Sequence, residues 1–161
     1  MWKHTFVTRN LTDQSPAAAD GTAGVDLEGL GTLRFVDGKI YKWVLYKRGG
    51  MGADGVAGEV AYYHTLDGYK TNVVSSDLSQ SVEIGAGVLQ ANMGDFVHGW
   101  IQIKGAATLT IALTAGADGD PLTPTGSDDD GKLDVSALVT DNICAIAGDA
   151  SDMEIICDFP F

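Results

Sequence analysis

Residues 85–105 (GAGVLQANMGDFVHGWIQIKG) constrain the fold more than any other stretch of this chain. Two apolar runs, 87–89 and 96–104, are separated by Ala91-Asn92-Met93-Gly94-Asp95. In the second run Val97, Ile101 and Ile103 fall on one face, and Phe96, His98, Trp100, Gln102 and Lys104 on the other. A period of two over nine residues predicts a strand with one buried face. No nucleophile–base pair and no metal-ligand spacing accompanies it.

The same alternation recurs along the chain, and the residues between the runs are turn formers. Glycine supplies 21 of 161 residues, well above the ordinary share, and aspartate (18) far outnumbers glutamate (4). Both residues favour turns over helix interiors. Turn signals spaced every eight to twelve residues predict an all-β fold, a compact β-barrel or β-sandwich of about ten short strands. The expected strands are 32–36, 39–46, 59–64, 71–75, 81–84, 87–89, 96–104, 107–114, 142–147 and 153–158. Asp37-Gly38 between the first two is the strongest hairpin signal. Residues 115–131 read as a long loop, and 133–138 as a helical turn or short strand. Residues 1–28, with breakers in Ser15-Pro16-Ala17-Ala18-Ala19-Asp20-Gly21, read as an extended arm that orders against a partner, and 29–161 as a single β domain.

Charge and chemistry narrow the function. Residues 1–104 hold 9 basic and 11 acidic side chains, whereas 105–161 hold Lys132 alone against 11 acids. A net charge of −12 excludes a free nucleic-acid binder, which needs a basic face. No run approaches membrane-spanning length, and the residues after Met1 form no apolar signal region, so no membrane partner and a cytoplasmic site of synthesis are expected. Cys144 and Cys157 sit in apolar runs and read as buried free thiols. The Gly50-Met51-Gly52-Ala53-Asp54-Gly55 pattern resembles a dinucleotide loop, but a strand and not a helix is expected after it, so no cofactor is assigned. Gly126-Ser127-Asp128-Asp129-Asp130-Gly131 lacks the first ligand and the closing glutamate of a calcium loop, and no metal site is assigned. His4, His64 and His98 belong to no catalytic motif. An enzyme is not expected.

Gly87-Val88-Leu89, Gly94-Asp95-Phe96, Gly99-Trp100-Ile101-Gln102-Ile103-Lys104-Gly105, Ala117-Asp118-Gly119-Asp120-Pro121-Leu122, Gly131-Lys132-Leu133, Ile143-Cys144-Ala145-Ile146-Ala147 and Ile155-Ile156-Cys157-Asp158 follow one another in that order. In that order they resemble the capsid decoration (cement) proteins of tailed bacteriophages. The resemblance runs loosely over residues 56–158 and rests on glycines and apolar residues. It implies a structural virion protein on the capsid exterior, made in the host bacterial cytoplasm, that binds the major capsid protein as an oligomer, a homotrimer by expectation. Interface candidates are Trp2 and Phe6 of the arm, the basic hairpin residues Arg34, Lys39, Lys42, Lys47 and Arg48, and Trp100. The basic hairpin would face the capsid and the acidic loops would face away. Two other readings remain open: another virion part, such as a head-fibre base or tail-tube subunit, and a glycan-binding β-sandwich with Trp43, Trp100, Tyr62 and Tyr63 as platforms.

Overall fold

The computed structural model describes residues 10–48, 54–65, 69–124 and 130–161. The fold is all-β, as the alternation predicts, with ten strands in one hydrogen-bonded sheet among the described residues. They are β1 (Leu33–Val36), β2 (Lys39–Tyr46), β3 (Val60–His64), β4 (Val73–Ser75), β5 (Ser81–Leu89), β6 (Val97–Thr108), β7 (Pro121–Thr123), β8 (Asp134–Val135), β9 (Ala145–Asp149) and β10 (Glu154–Asp158). Two single 3-10 turns, Tyr69–Thr71 and Leu78–Gln80, are the helical segments among the described residues.

Five strands close on themselves. β2 pairs with β6 along its length, β6 with β5, β5 with β3, β3 with β4, and β4 returns to β2 in parallel. The ring is a small barrel, and closure removes the free edges that an open sheet of this kind would expose. β6 then runs beyond the ring and carries a second set of strands in the order β10, β9, β7, β8. Gly105 makes the transition. Its φ of +92° is left-handed, a conformation that glycine adopts without strain. The buried Gln102 amide donates to the carbonyls of Lys104, Gly105 and Ala106 there, at 3.2, 3.2 and 2.9 Å. The expected break after Lys104 is therefore absent, and the strand expected over 107–114 is the end of β6 followed by a segment outside the sheet. The strands expected over 81–84 and 87–89 likewise merge into β5, and the expected loop 115–131 contains β7.

The β1–β2 turn is Asp37-Gly38, both with positive φ (48° and 76°), the backbone of the turn type that matches strand twist. The main core fills the barrel and continues under the extension, with Val44, Tyr46, Tyr62, Ile101, Ile103, Leu122 and Phe159 fully enclosed. A second, smaller core of Tyr41, Trp43 and Trp100 lies on the opposite face of β2 and β6. Both faces of these two strands are thus buried, although their alternation suggested one.

Residues 10–28 cover the second face. Ser15 and His98 exchange two backbone hydrogen bonds of 3.0 Å, and Leu11 packs on the Trp43–Trp100 pair. Asp26 accepts from the amides of Gly29 and Leu30 at 2.8 and 2.7 Å and from the Trp43 indole at 2.9 Å. This part of the arm is ordered by its own chain, contrary to the expectation that it orders only against a partner. The reason is the pair of tryptophans, which need a cover.

Candidate functional site

Where the side chains fall changes the list of candidates. Lys42 is 4% exposed and points into the barrel, because it shares a face with Ile40, Val44 and Tyr46. Its ammonium donates to the Tyr63 hydroxyl at 2.8 Å and lies 5.3 and 5.5 Å from the Tyr63 and Tyr69 ring centres. Burial alone pulls its pKa down from 10.5 to about 8. Trp100 is fully buried and stands edge-on to Trp43 at 5.1 Å. Neither residue is available to a capsid, so both leave the set of interface candidates.

The rest of the basic hairpin is also largely engaged. Arg48 is paired with Asp54 at 2.5 Å, and its backbone amide donates to Asp95. The Lys47 ammonium lies 5.9 Å from the centre of the Phe96 ring. Arg34 and Lys39 remain half-exposed beside the β1–β2 turn. Trp2 and Phe6 lie outside the described residues. The aromatic platforms suggested for glycan binding, Trp43, Trp100, Tyr62 and Tyr63, are all enclosed in the two cores and present no face to a sugar.

Residues 50–53 of the glycine-rich loop lie outside the described residues. Gly55 forms a bridge with Met93, and a turn then leads into β3 with no helix between. Residues 126–129 of the acidic loop also lie outside. Asp130 accepts from the Leu78 amide at 2.8 Å, which ties the loop to the barrel. No group of three or more potential metal ligands converges among the described residues. Cys144 and Cys157 are free and buried, and burial raises both thiols, Cys157 to about 12. His98 is buried beneath the arm with Nδ1 unpartnered; burial lowers its pKa while Asp26 opposes the shift.

Two surface features were not read from the sequence. The first is a row of outward-facing apolar residues that crosses four strands in register. Ala106 of β6 faces Ile156 of β10, Ile156 faces Ile146 of β9, and Ile146 faces Pro121 of β7. Ile156 and Ile146 are 51% and 44% exposed. The neighbouring rows, Thr108–Glu154 and the ion-paired Lys104–Asp158, are polar. An antiparallel sheet face that meets only water is ordinarily polar throughout.

The second feature is a cleft of about 520 Å³. β5 pairs with β6 only at Val88 and Leu89, so its first half diverges from β6 and opens a wedge. The wedge is lined by Ile84, Gly85, Lys104, Ile143, Phe159 and Tyr69, among others. A Cβ on Gly85 would stand 2.8 Å from the Phe159 ring and 2.9 Å from Cys144 Sγ, so glycine is needed for this close packing. A second hollow of about 300 Å³, bounded by Val82, Glu83 and Leu138, shares Asp141 and Asn142 with the first. The two hollows thus adjoin at Asp141 and Asn142. Register along single strands reveals the row only once the strand order is known. The cleft joins residues too distant in sequence for any local pattern to link them.

No protein-family model, no curated protein and no solved structure matches the chain.

Proposed function

We propose that this chain is a non-catalytic structural component of a tailed-bacteriophage virion, a decoration protein that binds the capsid exterior as a homo-oligomer. The observation that carries the reading is the apolar row Ala106–Ile156–Ile146–Pro121 on an otherwise polar sheet. A contiguous apolar strip on a rigid sheet marks a surface that another protein covers. It lies within the acidic part of the chain, where 11 acids oppose one lysine. Its complement is therefore an apolar strip with a basic rim, supplied in this reading by the major capsid protein. This moves the docking face from the basic hairpin to the β6–β10–β9–β7 sheet, because Lys42 is buried and Arg48 is neutralised by Asp54. Repetition over a lattice then multiplies a modest contact into stable occupancy.

Head binding by the purified protein tests this. The Ile146→Lys, Ile156→Lys double variant should keep its β-sheet circular dichroism, since both side chains are exposed, and should lose at least tenfold in affinity for heads. Equal decoration by the double variant would remove the row from the interface. No binding of the parent to heads would remove the function.

A further inference from the structure

We propose that the 520 Å³ cleft receives an anchoring side chain of the capsid partner, an aromatic residue next to a lysine or arginine. The inference rests on the head binding in the reading above and extends its docking face beyond the apolar row. Strand register makes the two continuous. On the outer face of β10, Ile156 belongs to the row, and Asp158, the next outward-facing residue, lines the cleft. On β6 the same step leads from Ala106 to Lys104. One row of the sheet, about 7 Å, therefore separates the strip from the cleft. A partner laid across Ile146 and Ile156 reaches the cleft within about two residues of extended chain.

The cleft is formed before anything enters it. Gly85 packs so closely on Cys144 and Phe159 that a Cβ there would stand 2.8 Å from the Phe159 ring. Asp141, also in the lining, is held by the Leu138 and Ala137 amides at 2.8 and 2.9 Å and by Ser136 Oγ at 3.1 Å. The Tyr69 hydroxyl donates to the Phe161 carbonyl. Walls fixed in this way spare a partner the cost of ordering them. The border is apolar and open: Tyr69, Ile143 and Phe161 are each about half exposed. Leu138 and Val139 carry the exposed apolar surface on past Asp141. An exposed apolar surface around a preformed pocket marks a protein contact, and aromatic residues and arginine are the side chains that dominate binding energy in such pockets.

Charge selects what accompanies the anchor. Glu83, Asp141 and Asp158 line the two hollows against one cation, Lys104, among the described residues. Lys104 is paired with Asp158, and its ammonium lies 5.0 Å from the Phe161 ring centre. Asp141 keeps its charge into acid, because the Leu138 amide, with the Ala137 amide and the Ser136 hydroxyl, lowers its carboxyl pKa. A lysine or arginine beside the anchor meets net negative charge there, and an acid in its place is repelled.

Head binding by variants of the full chain tests the assignment. Ile143→Lys, with circular dichroism unchanged, should lose about tenfold or more in affinity for heads, because it removes apolar surface and repels the cation. Ile143→Glu removes the same surface but keeps the sign of the charge, so it should lose less, and the gap between the two should narrow as salt rises. Asn142→Arg, at an exposed position shared by both hollows, should weaken binding with the same salt dependence. Ile143→p-benzoylphenylalanine, irradiated on heads, should crosslink to the major capsid protein within a few residues of a lysine or arginine. Parent-like affinity of Ile143→Lys would overturn the cleft assignment and leave the row as the docking face. Equal losses for the two Ile143 variants at every salt concentration would overturn the basic chemistry of the occupant. Crosslinks to a second copy of this chain, or to its own first residues, would overturn the capsid partner. Failure of the parent itself to bind heads would remove the reading above and the inference with it.

Discussion

Replacing Lys42 and its partner together, as Lys42→Met with Tyr63→Phe, should stabilise the protein at neutral pH and abolish an alkaline gain in stability. Lys42 is enclosed in the barrel with a tyrosine hydroxyl and two ring faces as neighbours, and burial lowers its pKa to about 8. In the unfolded chain the amine titrates near 10.4. At pH 7 both states hold the proton, and the native state bears the whole cost of keeping it on a buried amine, about 3 kcal/mol. As pH rises through 8 the native amine releases its proton first, while the unfolded chain keeps it. Stability then rises wherever the unfolded state binds more protons. Between pH 7 and 9.5 the linkage relation gives a gain of about 2 kcal/mol from this group.

A methionine side chain in place of Lys42 carries no charge, so the double variant has no such gain. At pH 7 it recovers about 3 kcal/mol and loses about 1 kcal/mol of cation–ring attraction, a net stabilisation of about 2 kcal/mol. Removing the Tyr63 hydroxyl as well avoids leaving it unpaired, which would cost about 1–3 kcal/mol in Lys42→Met alone. Urea denaturation at pH 7.0, 8.0, 8.7 and 9.5 measures both effects. The difference between parent and double variant cancels the titrating groups other than Tyr63, whose burial-raised pKa opposes the gain by only about 0.2 kcal/mol at pH 9.5. A constant difference across this range, or a double variant less stable than the parent at pH 7, would refute the reasoning.

Other outcomes follow from the same geometry. Asp26→Asn weakens the anchor of the arm at Gly29, Leu30 and Trp43 and should cost about 1–3 kcal/mol, read by denaturation, with faster proteolysis within residues 10–30. Burial works against the Asp26 charge, but its three donors outweigh that and hold its pKa below the usual carboxylate value, so the anchor persists at neutral pH and is lost as pH falls through the lowered pKa. Deleting residues 2–28 should expose Trp43 and Trp100 and shift tryptophan emission to the red; an unshifted spectrum would mean that the arm does not cover them. Cys144 and Cys157 should resist a thiol reagent in the native state at pH 8 and react at two equivalents per chain after unfolding.

The sequence revealed periodicity more readily than it revealed which way each face points. Alternation in 39–46 separates Tyr41, Trp43 and Leu45 from Ile40, Lys42, Val44 and Tyr46, and the structure keeps that division. Which set faces the barrel depends on closure through β4 and β6, a non-local event. A lysine in the set suggested solvent, yet three apolar neighbours on the same face outvoted it. Trp100 stands out in the sequence as an interface candidate because its cover, residues 10–28, lacks a strand pattern. It holds the seam with one bridge, an aspartate anchor and Leu11, none of which alternates. The expected break after Lys104 failed for a related reason: Gly105 reads as punctuation, but Gln102 caps the carbonyls around it and the strand continues. The apolar row was visible as Ile146 and Ile156 in two short strands, and only the register of β6, β10, β9 and β7 makes it a surface.

The central claim, a decoration protein on the outside of a phage head, is tested most directly by electron microscopy of purified virions carrying this chain, labelled with gold-conjugated antibody against it. The account predicts gold over the outer surface of the head at regular density, with tails bare. Label confined to tails, or virions free of label while the chain stays in the soluble lysate fraction, would contradict it.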